Sequence, residues 1–217
     1  MEQKLFSIIT PSYNCGAKLE KTIRSVLSQN KNIYEYIIVD GCSTDDTLSV
    51  VERYAADGIK FLSEKDEGVY DAMNKGIDLA SGKYLYFLGA GDGLRLNILE
   101  KMAGLMPQNE LCFIYGNVYM VDRGVIYDGE FTKAKLRRHN ICHQAIFYQR
   151  KIFDVMGRYE PRFSVLADYV FNVKCFWNDH IHKQYIGYVI ANFEGGGIST
   201  TQRDLDFVNE YSDLIAT

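Results

Sequence analysis

The sequence predicts an α/β protein in which a mostly parallel sheet is covered by helices on both faces. Four short apolar stretches have the length and the β-branched or aromatic content of strands, and they occupy residues 5–10, 36–39, 59–62 and 84–88. Segments with a helical spacing of apolar residues separate them. Strands that alternate with helices are typical of parallel sheets, because the crossover connections place helices on the two faces.

The first strand is the segment LFSIIT, and we expect Pro11 to end it because proline lacks a backbone N–H. A helix is then predicted over about residues 17–29. Its buried stripe consists of apolar residues on one helical face: Leu19, Ile23, Val26 and Leu27.

The second strand ends at Asp40, and the segment GCSTDDT after it predicts a loop that leads into a helix. Ser43 and Asp46 have the spacing of a helix-capping pair. The third strand is followed by a charged loop and by a helix that buries three apolar residues: Met73, Ile77 and Ala80.

The fourth strand, YLYFL, is apolar throughout, which predicts burial on both faces in the middle of the sheet. It leads into Gly89-Ala90-Gly91 and then Asp92. Because parallel strands share one carboxyl edge, three polar loops meet there, at residues 10–14, 40–45 and 89–92. Carboxylates at two of these strand ends, Asp40 and Asp92, indicate a cation or a polar ligand at this edge.

The second half of the chain is less regular. We expect a hairpin of strands over residues 111–121 and 125–131, a strand over 141–148 that carries His143 and Gln144, and a helix that Asp168 caps. The other predicted elements are helices at 98–106, 151–156 and 204–214, a strand at 186–193 and a glycine loop at 195–199. Without a linker or repeat, the sequence predicts one domain over residues 1–217, with halves at about 1–93 and 94–217.

Composition, the N-terminal sequence and the spacing of the cysteines argue against several classes of protein. The net charge of −4 disfavours general nucleic-acid binding. The N-terminus leads directly into a strand, so no signal peptide is expected and a cytoplasmic location is the default. The five cysteines lack paired spacing, which disfavours disulfides and a zinc site that would include His139, Cys142 and His143.

Several stretches, in the same order along the chain, resemble the family 2 glycosyltransferases of the GT-A fold. They are SIITPSYNCGAKLEKTIRSVLSQ, YIIVDGCSTDDT, EKDEGVYDAMNKGIDLASGKYLYFLGAGD, HQAIFYQRKIF and LADYVFNVKCF. The resemblance covers roughly residues 5–180 and is closest to transferases of bacterial polysaccharide assembly. It implies an inverting transfer of a sugar from a nucleotide donor, UDP being the commonest, to a saccharide acceptor that is lipid-linked.

The resemblance also implies roles for individual residues. Thr10, Pro11 and Tyr13 would pack around the nucleotide base, and Asp40 and Asp66 would contact the nucleoside. Asp92 would bind Mn²⁺ or Mg²⁺ on the donor diphosphate, beside Gly91. Asp168 would be the general base, and His143 and Gln144 would lie near the diphosphate or the acceptor.

One departure from the family pattern concerns the metal. Many members have two adjacent acids where this chain has Gly91-Asp92, so strict metal dependence stays open, and so does a catalytically silent, sugar-nucleotide-binding partner of the same fold. A dinucleotide-dependent oxidoreductase is disfavoured, because the first strand is followed by TPSYNCG and not by a G-x-G-x-x-G fingerprint.

A basic segment stands out in this acidic chain. Its cations are Lys133, Lys135, Arg137 and Arg138. They are either a solvated face or a contact for an anionic membrane surface or a lipid-linked diphosphate, which would bring the protein to the inner face of the membrane.

Overall fold

The computed structural model describes residues 3–107, 111–197 and 203–216. These residues form a nine-stranded sheet flanked by α-helices. The strands are β1 Phe6–Ser12, β2 Tyr34–Asp40, β3 Lys60–Ser63, β4 Tyr84–Phe87, β5 Gly93–Leu94, β6 Cys112–Met120, β7 Val125–Tyr127, β8 Ile146–Gln149 and β9 His182–Phe193. The helices are α1 Gly16–Leu27, α2 Thr47–Glu52, α3 Val69–Leu79, α4 Ile98–Ala103, α5 Lys133–Leu136, α6 Lys151–Met156, α7 Ala167–Trp177 and α8 Leu205–Ala216.

The strand order is β3-β2-β1-β4-β8-β6-β9-β5, and β7 pairs with the outer part of β6. The first four strands are parallel, as the strand–helix alternation predicts. Beyond β4 the sheet is mixed, because β8 runs antiparallel to both β4 and β6 whereas β9 is parallel to β6. One sheet therefore continues from the first half of the chain into the second.

Alternate side chains of the central strands enter two separate cores. Leu85 and Phe87 of β4 pack on the face covered by α3, α6 and α7. Tyr84 and Tyr86 point to the opposite face, against α1 and α4. On β1 the same alternation places Ile9 in the first of these cores and Ile8 in the second. Helices on both faces were predicted, and this arrangement confirms them.

Pro11 does not end the first strand, contrary to expectation. β1 continues to Ser12, with Pro11 opposite Val39 and Ser12 opposite Asp40 of β2. The pairing of β1 with β4 stops at Ile9, whose carbonyl accepts a hydrogen bond from the backbone N–H of Leu88. The backbone of Pro11 points to the same side of β1 as that of Ile9, toward β4, but lies beyond the last residue that pairs with β4. The missing N–H of Pro11 therefore removes no hydrogen bond from the sheet.

Two other local expectations are wrong. His143 and Gln144 lie on a 3₁₀ turn, His143–Ala145, and the strand begins only at Ile146. Asp168 lies in the first turn of α7 without capping it, since Leu166 occupies the N-cap position. In both cases hydrogen bonds from distant parts of the chain, described below, determine the local structure.

The predicted capping pair before α2 is also absent. Ser43 hydrogen-bonds Asp40, and the N-cap residue Asp46 makes no side-chain capping bond. Asp45 instead accepts hydrogen bonds from the backbone and the hydroxyl of Thr47. In the described parts of the chain, no helix is both long enough and apolar enough to cross a membrane.

Candidate active site

The carboxyl end of β2 is organised around a fully buried carboxylate. Asp40 has no solvent exposure. Its two oxygens accept hydrogen bonds from three hydroxyl groups, those of Ser12, Ser43 and Ser63, and from the backbone N–H of Ser43. Asp40 therefore joins the ends of β1, β2 and β3. These bonds occupy the carboxylate for which the family resemblance implies contact with the nucleoside.

The segment predicted to hold the base presents one exposed aromatic ring. Thr10 and Pro11 are buried in β1, and the hydroxyl of Thr10 accepts a hydrogen bond from Tyr36. Tyr13, directly after the strand, is 63% exposed. Asn14 binds the next loop through its backbone N–H to Ser43. Tyr13 is thus the member of this segment that has a free surface on which a planar ring could stack.

Asp66 lies against the same strand ends. Its Oδ1 accepts a hydrogen bond of 3.0 Å from the backbone N–H of Gly68. A Cβ atom at Gly41 would lie only 2.5 Å from Asp66 Oδ2, so the absence of a side chain at Gly41 allows this close approach. Asp66 is half-buried and keeps a carboxylate oxygen beside the backbone that follows Asp40.

The turn after β4 is fixed by a buried threonine of α1. The hydroxyl of Thr22 accepts a hydrogen bond from Gly91 N–H at 2.9 Å and donates one to the Asp92 carbonyl at 2.7 Å. Gly91 has a φ of 109°, a conformation that residues with a Cβ rarely adopt. An aspartate or glutamate in place of Gly91 would therefore be strained in this turn, which gives a physical reason for glycine here.

Asp92 is a buried carboxylate whose two oxygens face different parts of the chain. Oδ2 accepts a hydrogen bond from Gln144 Nε2 at 2.6 Å, and Oδ1 accepts one from the backbone N–H of Glu194 at 3.0 Å. Burial raises the pKa of Asp92, although these two donors and the nearby His143 act in the opposite direction. A nearby cation would stabilise the ionised form of this desolvated carboxylate.

Asp168 is held from two sides at the start of α7. The hydroxyl of Tyr70 lies 2.8 Å from its Oδ1, and Asn140 Nδ2 donates to its Oδ2 at 3.0 Å. His143 Nδ1 lies 3.5 Å from the same Oδ2. Asp204 holds the backbone that leads into this helix, because its carboxylate accepts hydrogen bonds from the backbone N–H groups of Val165 and Leu166.

The 3₁₀ turn joins the two acids. His143 faces Asp168, and its neighbour Gln144 binds Asp92. The Gln144 carbonyl accepts a hydrogen bond from the buried Tyr86 of β4, which holds the turn against the central strand. Sequence reasoning selected all four site residues, and the structure places them in one connected group. His143 Nε2 is buried and has no hydrogen-bond partner among the described residues.

Sequence reasoning missed the residues that hold these groups in place. They are Thr22, Tyr70, Asn140, Glu194 and Asp204. Thr22 is fully buried, and its place on the predicted apolar face of α1, between Leu19 and Val26, was the one signal that the sequence offered. The others act across long sequence separations, for which a single sequence gives no indication. The predicted loop at 195–199 lies partly outside the described residues.

The residues present fit a divalent cation only as a partial site. Within 3–107, 111–197 and 203–216, no three His, Cys, Asp or Glu side chains come together in a way that could hold a metal. Asp92 alone offers a carboxylate at the end of β4. Mg²⁺ commonly binds one or two carboxylates and takes its other ligands from water and substrate phosphates. Asp92 therefore fits a cation that arrives with a diphosphate.

The four cations of the basic segment have different surroundings. Lys135 turns inward, where its ammonium group binds the carbonyls of Asp128 and Glu130. Lys133 and Arg137 both lie over the ring of Trp177. Arg138 borders a cavity of about 540 Å³, whose lining is formed by Tyr127, Asp128, Ala134, Lys135, Arg138 and His139.

This cavity is connected to the candidate base by hydrogen bonds through Asn140. Tyr127 donates a hydrogen bond to the Asn140 carbonyl, and the Asn140 side chain binds Asp168. The guanidinium of Arg138 makes no hydrogen bond or ion pair with any residue of the described ranges. An anionic group in the cavity would find there a cation without a competing partner.

Comparisons with known proteins show which family the chain resembles. A PGL/p-HBAD biosynthesis glycosyltransferase of Mycobacterium bovis is 40% identical over 215 residues, which cover 96% of this chain and 84% of that protein. The UDP-Glc:alpha-D-GlcNAc-diphosphoundecaprenol beta-1,3-glucosyltransferase WfgD of Escherichia coli is 33% identical over 141 residues, or 64% of this chain and 55% of that one.

A solved structure shares the fold. The crystal structure of S. aureus TarS 1-349 in complex with UDP-GlcNAc superposes with a TM-score of 0.81 and 20% identity, over 98% of this chain and 65% of that one. At this identity the likeness concerns the fold alone, and it confirms the expected GT-A architecture. The family model described as glycosyl transferase family 2 matches residues 7–164. The chain therefore belongs to the family 2 glycosyltransferases.

Proposed function

We propose that this protein transfers a sugar from a UDP-linked donor to a hydroxyl of a lipid-linked saccharide, with inversion, in the synthesis of a cell-surface polysaccharide. The observation that carries the proposal is the short path between two buried acids, Asp92 and Asp168, through neighbouring residues of one 3₁₀ turn. One acid would serve the leaving diphosphate and the other the incoming hydroxyl. WfgD is named for such a reaction and supports the donor and acceptor classes, and the TarS complex with UDP-GlcNAc supports a UDP-linked donor.

In the proposed reaction Asp168 accepts the proton of the acceptor hydroxyl as its oxygen attacks the anomeric carbon. The bond from that carbon to the diphosphate oxygen breaks, and the electron pair leaves with the nucleoside diphosphate. Attack opposite the leaving group inverts the anomeric configuration. Tyr70 and Asn140 orient the carboxylate for this step through their hydrogen bonds to its two oxygens.

On the donor side, Tyr13 would stack on the base, and Asp66 would contact the nucleoside beside Gly41. Asp40 would shape this pocket mainly through its three serine partners, and direct contact with the nucleoside would require displacing one of them. Asp92 would hold Mn²⁺ or Mg²⁺ together with diphosphate oxygens. The ion would neutralise charge that develops on the leaving group.

Calorimetric titration of UDP, GDP, dTDP and CDP, each with and without Mn²⁺, tests the donor site. We expect UDP to bind best, and we expect Mn²⁺ to strengthen that binding in the native protein but not in Asp92→Asn. Binding of UDP that is equal with and without Mn²⁺, and equal in the variant, would remove the assigned role of Asp92. Binding of none of the four nucleotides would argue against the donor site as a whole.

We further propose that the basic segment faces the lipid-linked acceptor at an anionic membrane surface, with Arg138 as its main contact. Lys133 and Arg137 would add to the electrostatic attraction toward the anionic surface. Lys135 serves chiefly to hold the loop at Asp128. A cation near such a surface contributes on the order of 1 kcal/mol.

Sedimentation with vesicles that contain an anionic lipid tests this surface. Arg138→Glu should weaken association several-fold, because it replaces attraction by repulsion. Lys83→Glu is the matched control, since Lys83 is an exposed lysine just before β4, at the opposite edge of the sheet from Asp92. Equal sedimentation of the two variants and the native protein would refute the membrane contact.

A further inference from the structure

A buried tyrosine hydroxyl stands between the candidate base and a backbone carbonyl. The Tyr70 oxygen lies 2.8 Å from Asp168 Oδ1 and 2.7 Å from the carbonyl oxygen of Val165. Both neighbours are hydrogen-bond acceptors while Asp168 is ionised. A phenol has one proton, so Tyr70 can donate to only one of them at a time.

We propose that Tyr70 is a positioning residue for Asp168, and that its hydroxyl proton turns between the carboxylate and the Val165 carbonyl as Asp168 loses and gains a proton. When Asp168 is ionised, Tyr70 donates to it. When the carboxyl group is neutral, Oδ1 can carry the proton and donate it to the Tyr70 oxygen, while the Tyr70 hydroxyl donates to Val165. This inference rests on the proposed role of Asp168 as the general base.

The surroundings keep the tyrosine itself neutral. Burial, and then the charge of Asp168, raise the pKa of Tyr70 well above its usual value, so the hydroxyl retains its proton at neutral pH. A buried carboxyl group that must exist in two protonation states needs a partner that can both donate and accept. A hydroxyl group meets that need, whereas an amide N–H can only donate.

Other titratable groups also lie close to Asp168. His143 Nδ1 lies 3.5 Å from Oδ2, whereas Tyr70 contacts Oδ1. Tyr148 and Tyr159 lie nearby, and burial raises the pKa of each well above its usual value, so they stay neutral. Burial likewise raises the pKa of the Cys142 thiol. Among these, Tyr70 is the group with a hydroxyl in direct contact with the carboxylate.

Tyr70→Phe tests the inference, because it removes both the donor and the acceptor but keeps the buried ring. Nucleoside diphosphate released by water from UDP-glucose, UDP-GlcNAc, GDP-mannose and dTDP-glucose gives a rate that needs no known acceptor. We expect kcat to fall about tenfold, since Asp168 loses the contact that fixes the orientation of its carboxylate. UDP affinity should not change.

The pH profile separates positioning from general structural damage. The ionised carboxylate loses more than the neutral acid does when its donor is removed, so the acidic limb of the rate profile should move upward by about one pH unit. Tyr34→Phe is the matched control, because the buried Tyr34 hydroxyl donates only to a backbone carbonyl, that of Val26, at 2.9 Å. It should lower stability without moving the profile.

A double-mutant cycle with Asp168→Asn distinguishes the possible failures. If Tyr70 acts through Asp168, the double variant should be no slower than Asp168→Asn alone. An unshifted profile in Tyr70→Phe, or an equal loss of rate in the two backgrounds, would overturn the inference and leave the base assignment intact. A native rate in Asp168→Asn would instead overturn the base assignment itself.

Discussion

At the scale of single residues, the geometry at Gly91 has a direct energetic consequence. Its φ of 109° lies in the region that residues with a side chain avoid. A Cβ there would approach only the aliphatic part of Lys18, at 3.7 Å, so the cost of a substitution is backbone strain and not a steric clash. The turn that aims Asp92 into the site thus depends on a glycine for its backbone conformation.

Gly91→Ala should lower the free energy of unfolding by about 1–2 kcal/mol, measured in urea. Gly104→Ala is the control, because Gly104 has a φ of −70° and its added Cβ would meet nothing closer than 3.7 Å. That variant should be neutral or stabilised by about 0.4–1 kcal/mol. Equal effects of the two changes would contradict the conformational argument.

At the scale of elements, one carboxylate ties together the amino ends of the first four strands. Glu35 of β2 accepts hydrogen bonds from Ser7 of β1, from Lys60 of β3, and from the backbone N–H groups of Ser81 and Gly82 before β4. Burial opposes its ionisation, but these donors prevail and lower the pKa of Glu35 to about 2. The ionised carboxylate of Glu35 therefore stabilises the edge of the sheet opposite the site.

Glu35→Gln should destabilise the protein by on the order of 2 kcal/mol at neutral pH. Because the folded pKa is depressed, this contribution is fully present above the unfolded pKa of about 4.3 and is lost as the pH falls toward 2. The difference between native and variant in urea unfolding should shrink over that range. Glu52→Gln, an exposed position on α2, should show no such trend.

The observed strands and helices also show which parts of the fold the sequence alone predicts. Apolar periodicity predicted the first four strands, and α6 was predicted with its observed bounds. The same pattern placed Asp92 at the end of β4. It did not show that β1 continues through Pro11, because that depends on where β4 stops pairing. Nor did it show the 3₁₀ turn at His143, which is held by hydrogen bonds with Tyr86 of β4 and with Asp92 in the turn after β4.

At the scale of the whole molecule, the candidate site is assembled across both halves of the chain. Tyr70 and Asp168 are 98 positions apart, and Asp92 reaches Gln144 across 52. The antiparallel pairing of β4 with β8 brings these groups together, since it places the turn before β8 at the end of β4. Roles taken from the family resemblance named the acids, but only the folded chain shows how they are joined.

The proposed mechanism requires Asp168 to deprotonate the acceptor while the opposite side of the site binds the donor. The measurement that tests it most directly is sugar transfer from the best-binding nucleotide sugar to octyl-linked saccharides, by the native protein and by Asp168→Asn. Nuclear magnetic resonance would give the anomeric configuration of the product.

We predict an inverted linkage from the native protein, and at least a hundredfold slower transfer by the variant at unchanged nucleotide affinity. A retained configuration, or transfer by Asp168→Asn at the native rate, would contradict the account.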